Sequence, residues 1–260
     1  MPSTPTPLLL VDVDEHVATV TMNNPEARNA AVPELHTALQ DVWHDLAIDH
    51  DVRAVIVTGA GKAFSAGGDM DGFVRDHEDP VHRREGLMRA RRILDEMAAF
   101  PKPVIAAVNG PAVGFGCNLA LSCDLVLIAE STFLADNHVQ VGLVCGDGGA
   151  IIWPLLMSLI KAKEYLFTGE RIPAAKAVEL GLATRTVPDD ELMSEARALA
   201  EKLAALPAQP LQDTKRALNL HFQAAIAMVA PFSIAAESKS FTGDAVRNAV
   251  EEFKRSRSSS

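Results

Sequence analysis

The feature that most constrains the fold is an alternation of short apolar runs with longer segments of helical period. Val17–Met22 alternates like a strand, whereas 53–58, Val104–Val108 and 124–129 are nearly continuous apolar runs of strand length. Between these runs, apolar residues recur at helical spacing, most clearly across 83–98. Strands that alternate with helices indicate an α/β fold.

The length of the chain allows one large domain, or one domain with a small appendage, because it has 260 residues. Beyond about residue 146 the strand signal fades, and helical segments separated by glycine and proline dominate. We therefore expect an α/β core over residues 1–195 and a helical region over 196–260.

The composition excludes several classes of protein. A net charge of −10 repels phosphate backbones, so we expect no nucleic-acid partner. The three cysteines are odd in number and lack metal-ligand spacing, which suits a reducing cytoplasm. The longest uncharged stretch, 103–123, is interrupted by prolines and glycines, so we expect a soluble, cytoplasmic protein without a membrane partner.

Three glycine-rich segments follow strand-like runs, at 65–69 (SAGGD), 109–116 (NGPAVGFG) and 142–149. Any one of them can simply turn the chain, but two at strand ends can also direct backbone N–H groups at one point. Paired backbone donors suit a developing oxyanion, because they are fixed in place and carry no titratable proton. Nucleotide-binding patterns fail here, since the GFG of 114–116 lacks the third glycine of the dinucleotide fingerprint.

Among the histidines, His138 has the clearest chemical context. It follows Asp136 closely, and Asp147 lies nine residues further along, inside the third glycine-rich segment. Asp147 can cap the helix that follows, or it can hold the His138 imidazole in one tautomer, as a base dyad requires. The eight histidines form no HExxH pattern and no Cys/His cluster, so the sequence predicts no metal site.

Two blocks carry a resemblance to a known family. Residues 64–69 (FSAGGD) and 109–117 (NGPAVGFGC) resemble the two signature blocks of the crotonase superfamily, the enoyl-CoA hydratase/isomerase family. Residues 24–30 (NPEARNA) resemble its first CoA-contacting loop, and two segments between 166 and 182 resemble its later helical blocks. The resemblance covers nearly the whole chain.

The resemblance implies an α/β, crotonase-like fold of repeated ββα units with a C-terminal helical trimerisation region, and hence a homotrimer or a dimer of trimers. It implies an acyl-CoA substrate, with coenzyme A entering as part of that substrate and no separately bound cofactor. It places the thioester carbonyl oxygen between the backbone N–H groups of Gly68 and Phe115. The other residues that it assigns to substrate and CoA binding are Ala27, Arg28, Ala66, Gly67, Asp69, Met70, Gly114 and Lys254.

The sequence departs from the family pattern at two catalytic positions. Typical hydratases carry two glutamates that handle the added water, and here Asn118 and His138 stand at those positions. The spacing of His138 and Asp147 is similar to that in 6-oxocamphor hydrolase and related β-diketone hydrolases, in which a His–Asp pair serves retro-Claisen cleavage. We therefore predict that His138, with an ordinary pKa, activates water, that Asp147 orients it, and that Asn118 places water or substrate.

The predicted function is enoyl-CoA hydratase/isomerase chemistry through an enolate that the oxyanion hole stabilises. The first alternative is hydrolytic carbon–carbon cleavage of a β-keto or cyclic acyl-CoA. The alternative from another class is a non-catalytic, acyl-CoA-binding protein, and a His–Asp pair inside a pocket argues against it.

Overall fold

The computed structural model describes residues 6–258, with side chains described from 6 to 255. The strands in this range are β1 (Leu9–Asp14), β2 (Val17–Met22), β3 (Ala54–Gly59), β4 (Val104–Val108), β5 (Ala112–Val113), β6 (Leu125–Ala129), β7 (Phe133–Ala135), β8 (Ile172–Pro173) and β9 (Arg185–Val187). The larger sheet has the order β1-β2-β3-β4-β6-β9; β1 is antiparallel to β2, and all other neighbours are parallel. A smaller sheet joins β5, β7 and β8.

Ten helices are found in the described range. They are α1 (Pro33–Ile48), α2 (Met70–Glu78), α3 (Pro80–Ala99), α4 (Phe115–Leu121), α5 (Gly149–Leu156), α6 (Leu159–Thr168), α7 (Ala174–Leu180), α8 (Leu192–Ala204), α9 (Ala208–Ser240) and α10 (Asp244–Ser258). Two short 3₁₀ turns, Pro25–Ala27 and His138–Val141, lie in the loops that border the cavity described below.

The central strands of the larger sheet are buried on both faces. In β4, Val104, Ala106 and Val108 pack into the main apolar core, whereas Ile105 and Ala107 face the opposite side, which α8 covers. Burial on both faces explains why these strands read as continuous apolar runs rather than alternating ones. The predicted α/β class is confirmed.

The division that the sequence predicts after residue 195 does not coincide with a structural boundary. It falls inside α8, which packs on the larger sheet through Leu192, Ala196 and Ala200. The sequence analysis also missed β9, which extends that sheet, because three residues are too few for periodicity to reveal a strand. A C-terminal helical region is present, but its first helix is part of the α/β core.

The parallel strands bring the first two glycine-rich segments together. Because β3 and β4 run in the same direction, the loops that follow them leave the same edge of the sheet. These loops then pair with each other: the N–H of Ser65 donates to the carbonyl oxygen of Pro111 at 3.2 Å, and the N–H of Val113 donates to that of Ser65 at 3.0 Å.

Helix α9 differs in character from the other helices. It is the one described helix that is long and apolar enough to cross a membrane by length and composition, and 22% of its most apolar window is buried. The expectation of no membrane partner was based on residues 103–123 and did not take the long apolar sequence of α9 into account. One side of α9 packs along α3 and α5.

Candidate active site

A cavity of about 610 Å³ opens where the paired glycine loops meet the ends of α2, α3 and α9. Most of the residues that the sequence analysis singled out line it: Ala27, Ala66, Gly67, Gly68, Asp69, Met70, Gly114, Phe115, His138 and Asp147. Arg28, Asn118 and Lys254 do not line it. Glu237 and Phe253 line the cavity as well, although the sequence analysis gave Glu237 no role.

The two backbone donors of the predicted oxyanion hole lie on neighbouring loops. Phe115 is the first residue of α4, so its N–H has no acceptor within the helix. Among the described residues, no backbone acceptor pairs with the N–H of Gly68 or of Phe115. Gly67 has φ +87°, and a Cβ there would lie 2.5 Å from the carbonyl oxygen of Val113, so only glycine allows the two loops to approach this closely.

Opposite these loops, His138 lies among three buried carboxyl groups. Its Nδ1 is 2.6 Å from Oδ1 of Asp136. Its Nε2 is 3.4 Å from Oδ2 of Asp147 and 3.9 Å from Oε1 of Glu237. Asp136 therefore makes the shorter contact with the ring, while Asp147 faces the other ring nitrogen, and the orienting role of Asp147 stays a prediction.

Asn118 lies behind this cluster and is fully buried. Its Nδ2 donates to Oδ2 of Asp136 at 3.2 Å and to Oδ1 of Asp147 at 3.0 Å, while its Oδ1 accepts from Nε1 of Trp153 at 3.2 Å. Both amide hydrogens are therefore used inside the protein. The prediction that Asn118 places water or substrate does not fit this geometry, and the side chain instead holds two carboxylates in position.

The environment of His138 differs from the ordinary one that the sequence analysis assumed. Burial disfavours the charged ring, but the negative charges of Asp147 and Asp136 outweigh burial and hold the pKa of His138 well above 6.5. For Asp147, burial is likewise outweighed, by the charge and hydrogen bond of His138 and by the Asn118 amide, so its pKa is lowered. These shifts favour an imidazolium at His138 beside a carboxylate at Asp147.

Glu237, near the end of α9, has the opposite character. Burial, followed by the charge of Asp147, raises the pKa of Glu237 well above 4.5, which favours the protonated form of this group. Its Oε2 has no hydrogen-bond partner among the described residues. A Cβ at Gly146 would lie 2.6 Å from that oxygen, so the third glycine-rich loop packs directly on Glu237.

The sequence contained one signal for Glu237. It is the only acidic residue between Asp213 and Asp244, at the end of a stretch of alanine and larger apolar residues. An acidic side chain in such a stretch is either exposed to solvent or buried, where it needs a specific function. Its position in the sequence does not distinguish these two cases.

Asp136, His138 and Asp147 offer atoms that all lie within 4.8 Å of one another, a spacing that a metal ion could also use. The arrangement of these three side chains favours a protonated His138 ring, rather than a metal ion, between the two carboxylates. The two ring nitrogens of His138 face separate carboxylates, and Asn118 donates a hydrogen to each of these carboxylates. The positive charge that balances the carboxylates is therefore supplied by His138.

Three predicted CoA contacts have structural roles of their own. Asp69 caps α2 by accepting from the N–H of Gly72 at 2.9 Å. Arg28 adopts a left-handed conformation with φ 52° at the end of the first 3₁₀ turn. Nζ of Lys254, in α10, pairs with Oε1 of Glu78 at 3.0 Å on the surface. Their contacts with CoA remain predictions.

A mainly parallel sheet whose glycine loops open onto a cavity, extended by C-terminal helices, agrees with the crotonase-like fold that the sequence resemblance implies. The sequence model of enoyl-CoA hydratase/isomerase matches residues 12–259. The chain belongs to the enoyl-CoA hydratase/isomerase family, and it is an enzyme of that family that acts on acyl-CoA.

Individual relatives agree with this assignment. A putative enoyl-CoA hydratase from Thermus thermophilus is 39% identical over 217 residues, which cover 80% of this chain and 83% of that protein. A short-chain-enoyl-CoA hydratase from Clostridium acetobutylicum is 30% identical over 246 residues, 94% of each chain. The crystal structure of an enoyl-CoA hydratase/isomerase from Mycobacterium paratuberculosis superposes with a TM-score of 0.92 at 43% identity, covering 95% of this chain and 98% of that one.

Proposed function

We propose that the protein adds water across the double bond of a 2-enoyl-CoA thioester, with Asp147 as the base and Glu237 as the acid. The observation that carries this proposal is the pair of opposite pKa shifts in one cavity: the pKa of Asp147 is lowered and the pKa of Glu237 is raised. Two carboxyl groups whose environments separate their pKa values in this way are suited to divide base and acid work.

In the proposed reaction, the thioester oxygen accepts hydrogen bonds from the N–H groups of Gly68 and Phe115. Asp147 takes a proton from water as the water oxygen bonds to Cβ, and the electron pair of the double bond moves to the thioester oxygen as an enolate. Glu237 then gives its proton to Cα, which completes a 3-hydroxyacyl thioester. The two carboxyl groups that the family pattern lacks at 118 and 138 are thus supplied from other segments.

His138 has a different part in this scheme from the one that the sequence predicts. Its Nε2 faces both Asp147 and Glu237, at 3.4 Å and 3.9 Å. After each turnover Asp147 holds the proton taken from water and Glu237 lacks one. A ring nitrogen between the two groups can return the proton and restore the starting state, while its charge keeps Asp147 ionised.

The experiment that tests this function is turnover of a panel of 2-enoyl-CoA and β-keto acyl-CoA esters in ¹⁸O-water. We expect label in a new 3-hydroxyl group. Label in a new carboxylate with CoA retained would instead establish carbon–carbon hydrolysis, and a shifted double bond without label would establish isomerisation. Binding of the panel without any turnover would favour the non-catalytic alternative.

Assembly into a homotrimer or a dimer of trimers is part of the proposal. Helix α5 packs on both α6 and α9, and these three helices expose large apolar side chains to solvent. The exposed residues are Leu155, Leu156, Leu159, Ile160, Phe167, Leu218, Leu220, Met228 and Phe232. Exposed apolar surface of this extent is typical of an interface. Sedimentation of a stable, active monomer would contradict this assembly.

A further inference from the structure

Arg89, in α3, lines the cavity but has no paired anion. Its Nε is buried without a hydrogen-bond acceptor, and no carboxylate of the described residues lies within 4.0 Å of its guanidinium. Among its neighbours in α3, Arg91 pairs with Asp95 at 2.8 Å, whereas Arg83 donates from Nη1 to the carbonyl oxygen of Asp76 at 2.6 Å and has a buried Nε without a partner among the described residues. Arg89 as a whole is partly exposed, but its buried Nε lacks the partner that polar groups removed from water usually have.

His36, in α1, presents a second unpartnered polar group to the same part of the cavity. Its Nε2 is buried without a hydrogen-bond partner in the described part of the chain, and its ring packs on the ring of Phe115 with a centroid distance of 4.3 Å. Burial and the charge of Arg89 lower the pKa of His36 to about 4, so the ring is neutral at pH 7 and can donate one hydrogen bond. Asp147 acts on His36 electrostatically as well, so the His36 ring is within electrostatic reach of both Arg89 and Asp147.

Asp76 interacts electrostatically with Arg89, but it forms no ion pair with the guanidinium within 4.0 Å. Oδ1 of Asp76 is 2.6 Å from Nδ1 of His82, and Asp147 faces His138. The cavity therefore contains a guanidinium with free donors beside a neutral imidazole, a short distance from the site of reaction. Guanidinium groups bind carboxylates through two parallel hydrogen bonds, which makes a carboxylate the best-fitting ligand for this position.

We propose that Arg89 and His36 form a subsite for a carboxylate carried by the acyl group, so that the preferred substrate is the CoA monothioester of an unsaturated dicarboxylic acid. This inference rests on the proposed function and names its substrate class. The carboxylate belongs on a short acyl chain, because His36 contacts the ring of Phe115, whose N–H is one of the two proposed oxyanion donors.

The test compares crotonyl-CoA with 4-carboxybut-2-enoyl-CoA, which differ by the terminal carboxylate. For the wild-type protein we expect kcat/KM to favour the carboxylated ester by at least about tenfold. In Arg89→Gln the ratio of the two kcat/KM values should fall by about 10- to 100-fold, the usual worth of a charged hydrogen bond. Arg89→Lys should retain part of the preference, because it keeps the charge but loses the planar fork.

Arg92→Gln is the matched control, because Arg92 lies on the same helix and is exposed outside the cavity lining. It should keep the wild-type ratio. An unchanged ratio in Arg89→Gln, or a wild-type protein that does not favour the carboxylated ester, would overturn the subsite.

Calorimetric titration with the saturated esters butanoyl-CoA and 4-carboxybutanoyl-CoA separates the subsite from the chemistry. If neither enoyl ester is turned over, the hydration proposal fails. An Arg89-dependent preference for the carboxylated saturated ester would then still support the subsite. Equal binding of the two saturated esters would refute the subsite even in a protein that hydrates crotonyl-CoA.

Discussion

The two sides of the cavity present different chemical groups: backbone N–H groups on one side and ionisable side chains on the other. On one side, the loops around Gly68 and Phe115 offer backbone N–H groups, which carry no titratable proton and do not depend on side-chain identity. On the other side, His138, Asp147 and Glu237 come from three separate segments, and burial and mutual charge shift the pKa of each of them. The comparison teaches that the backbone donors are insensitive to pH and to the identity of the Phe115 side chain, whereas every member of the second side depends on the others.

The largest expected effect comes from the ionisable side. Asp147→Asn removes the proposed base and should lower kcat by about 100- to 10,000-fold, with little change in the affinity for the CoA ester. Combining it with Glu237→Gln should give a loss smaller than the product of the two single losses, because the pair acts as a unit. Steady-state kinetics on the best substrate of the panel provides the measurement.

The exposed Asp190→Asn serves as the control for this experiment and should behave as wild type. Full activity of Asp147→Asn would remove the distinction between the two sides, because the cluster would then have only a structural role.

A smaller effect is expected on the backbone side, where removal of a donor must be separated from removal of a side chain. Phe115→Gly keeps the N–H and should stay within about tenfold of wild-type turnover. Phe115→Pro removes the N–H and should lose about 100- to 1000-fold in kcat. Circular dichroism checks that both variants fold. Normal turnover by a folded Phe115→Pro protein would show that this donor is not used.

The smallest effect concerns stability and pH at Glu237. The folded-state pKa of this group is raised above 4.5, so the stability associated with its protonated form is complete below about pH 4.5 and is lost as the pH rises toward the folded-state value. Glu237→Gln stays neutral and avoids this loss. The melting temperature of the variant relative to wild type should therefore increase with pH, by about 2–4 °C for each kcal/mol.

Melting curves of both proteins between pH 4 and pH 9 measure this difference. A constant difference across the range would mean that Glu237 ionises normally in the folded protein, and it would remove the basis for its role as the acid.

The sequence predicted the backbone side of the cavity more completely than the ionisable side. The glycine-rich segments at 65–69 and 109–116 are contiguous motifs, and their place after strands was sufficient to predict that they meet. His138 and Asp147 were also recognised, but as a simple dyad with an unshifted pKa. Asp136 was noticed only as a neighbour, and Glu237, 99 residues beyond His138, received no role.

By itself, the sequence determined the α/β class, the family and the two glycine-rich segments that meet, because periodicity and contiguous motifs are local properties of the chain. Only the tertiary structure decided the charge states of the site, because a pKa depends on burial and on charges that come from distant segments. The packing of α9 brings Glu237 against the loop that carries Asp147, and the Asn118 amide and His138 hold Asp147 ionised. These contacts, rather than the spacing of two residues, separate the proposed acid from the proposed base.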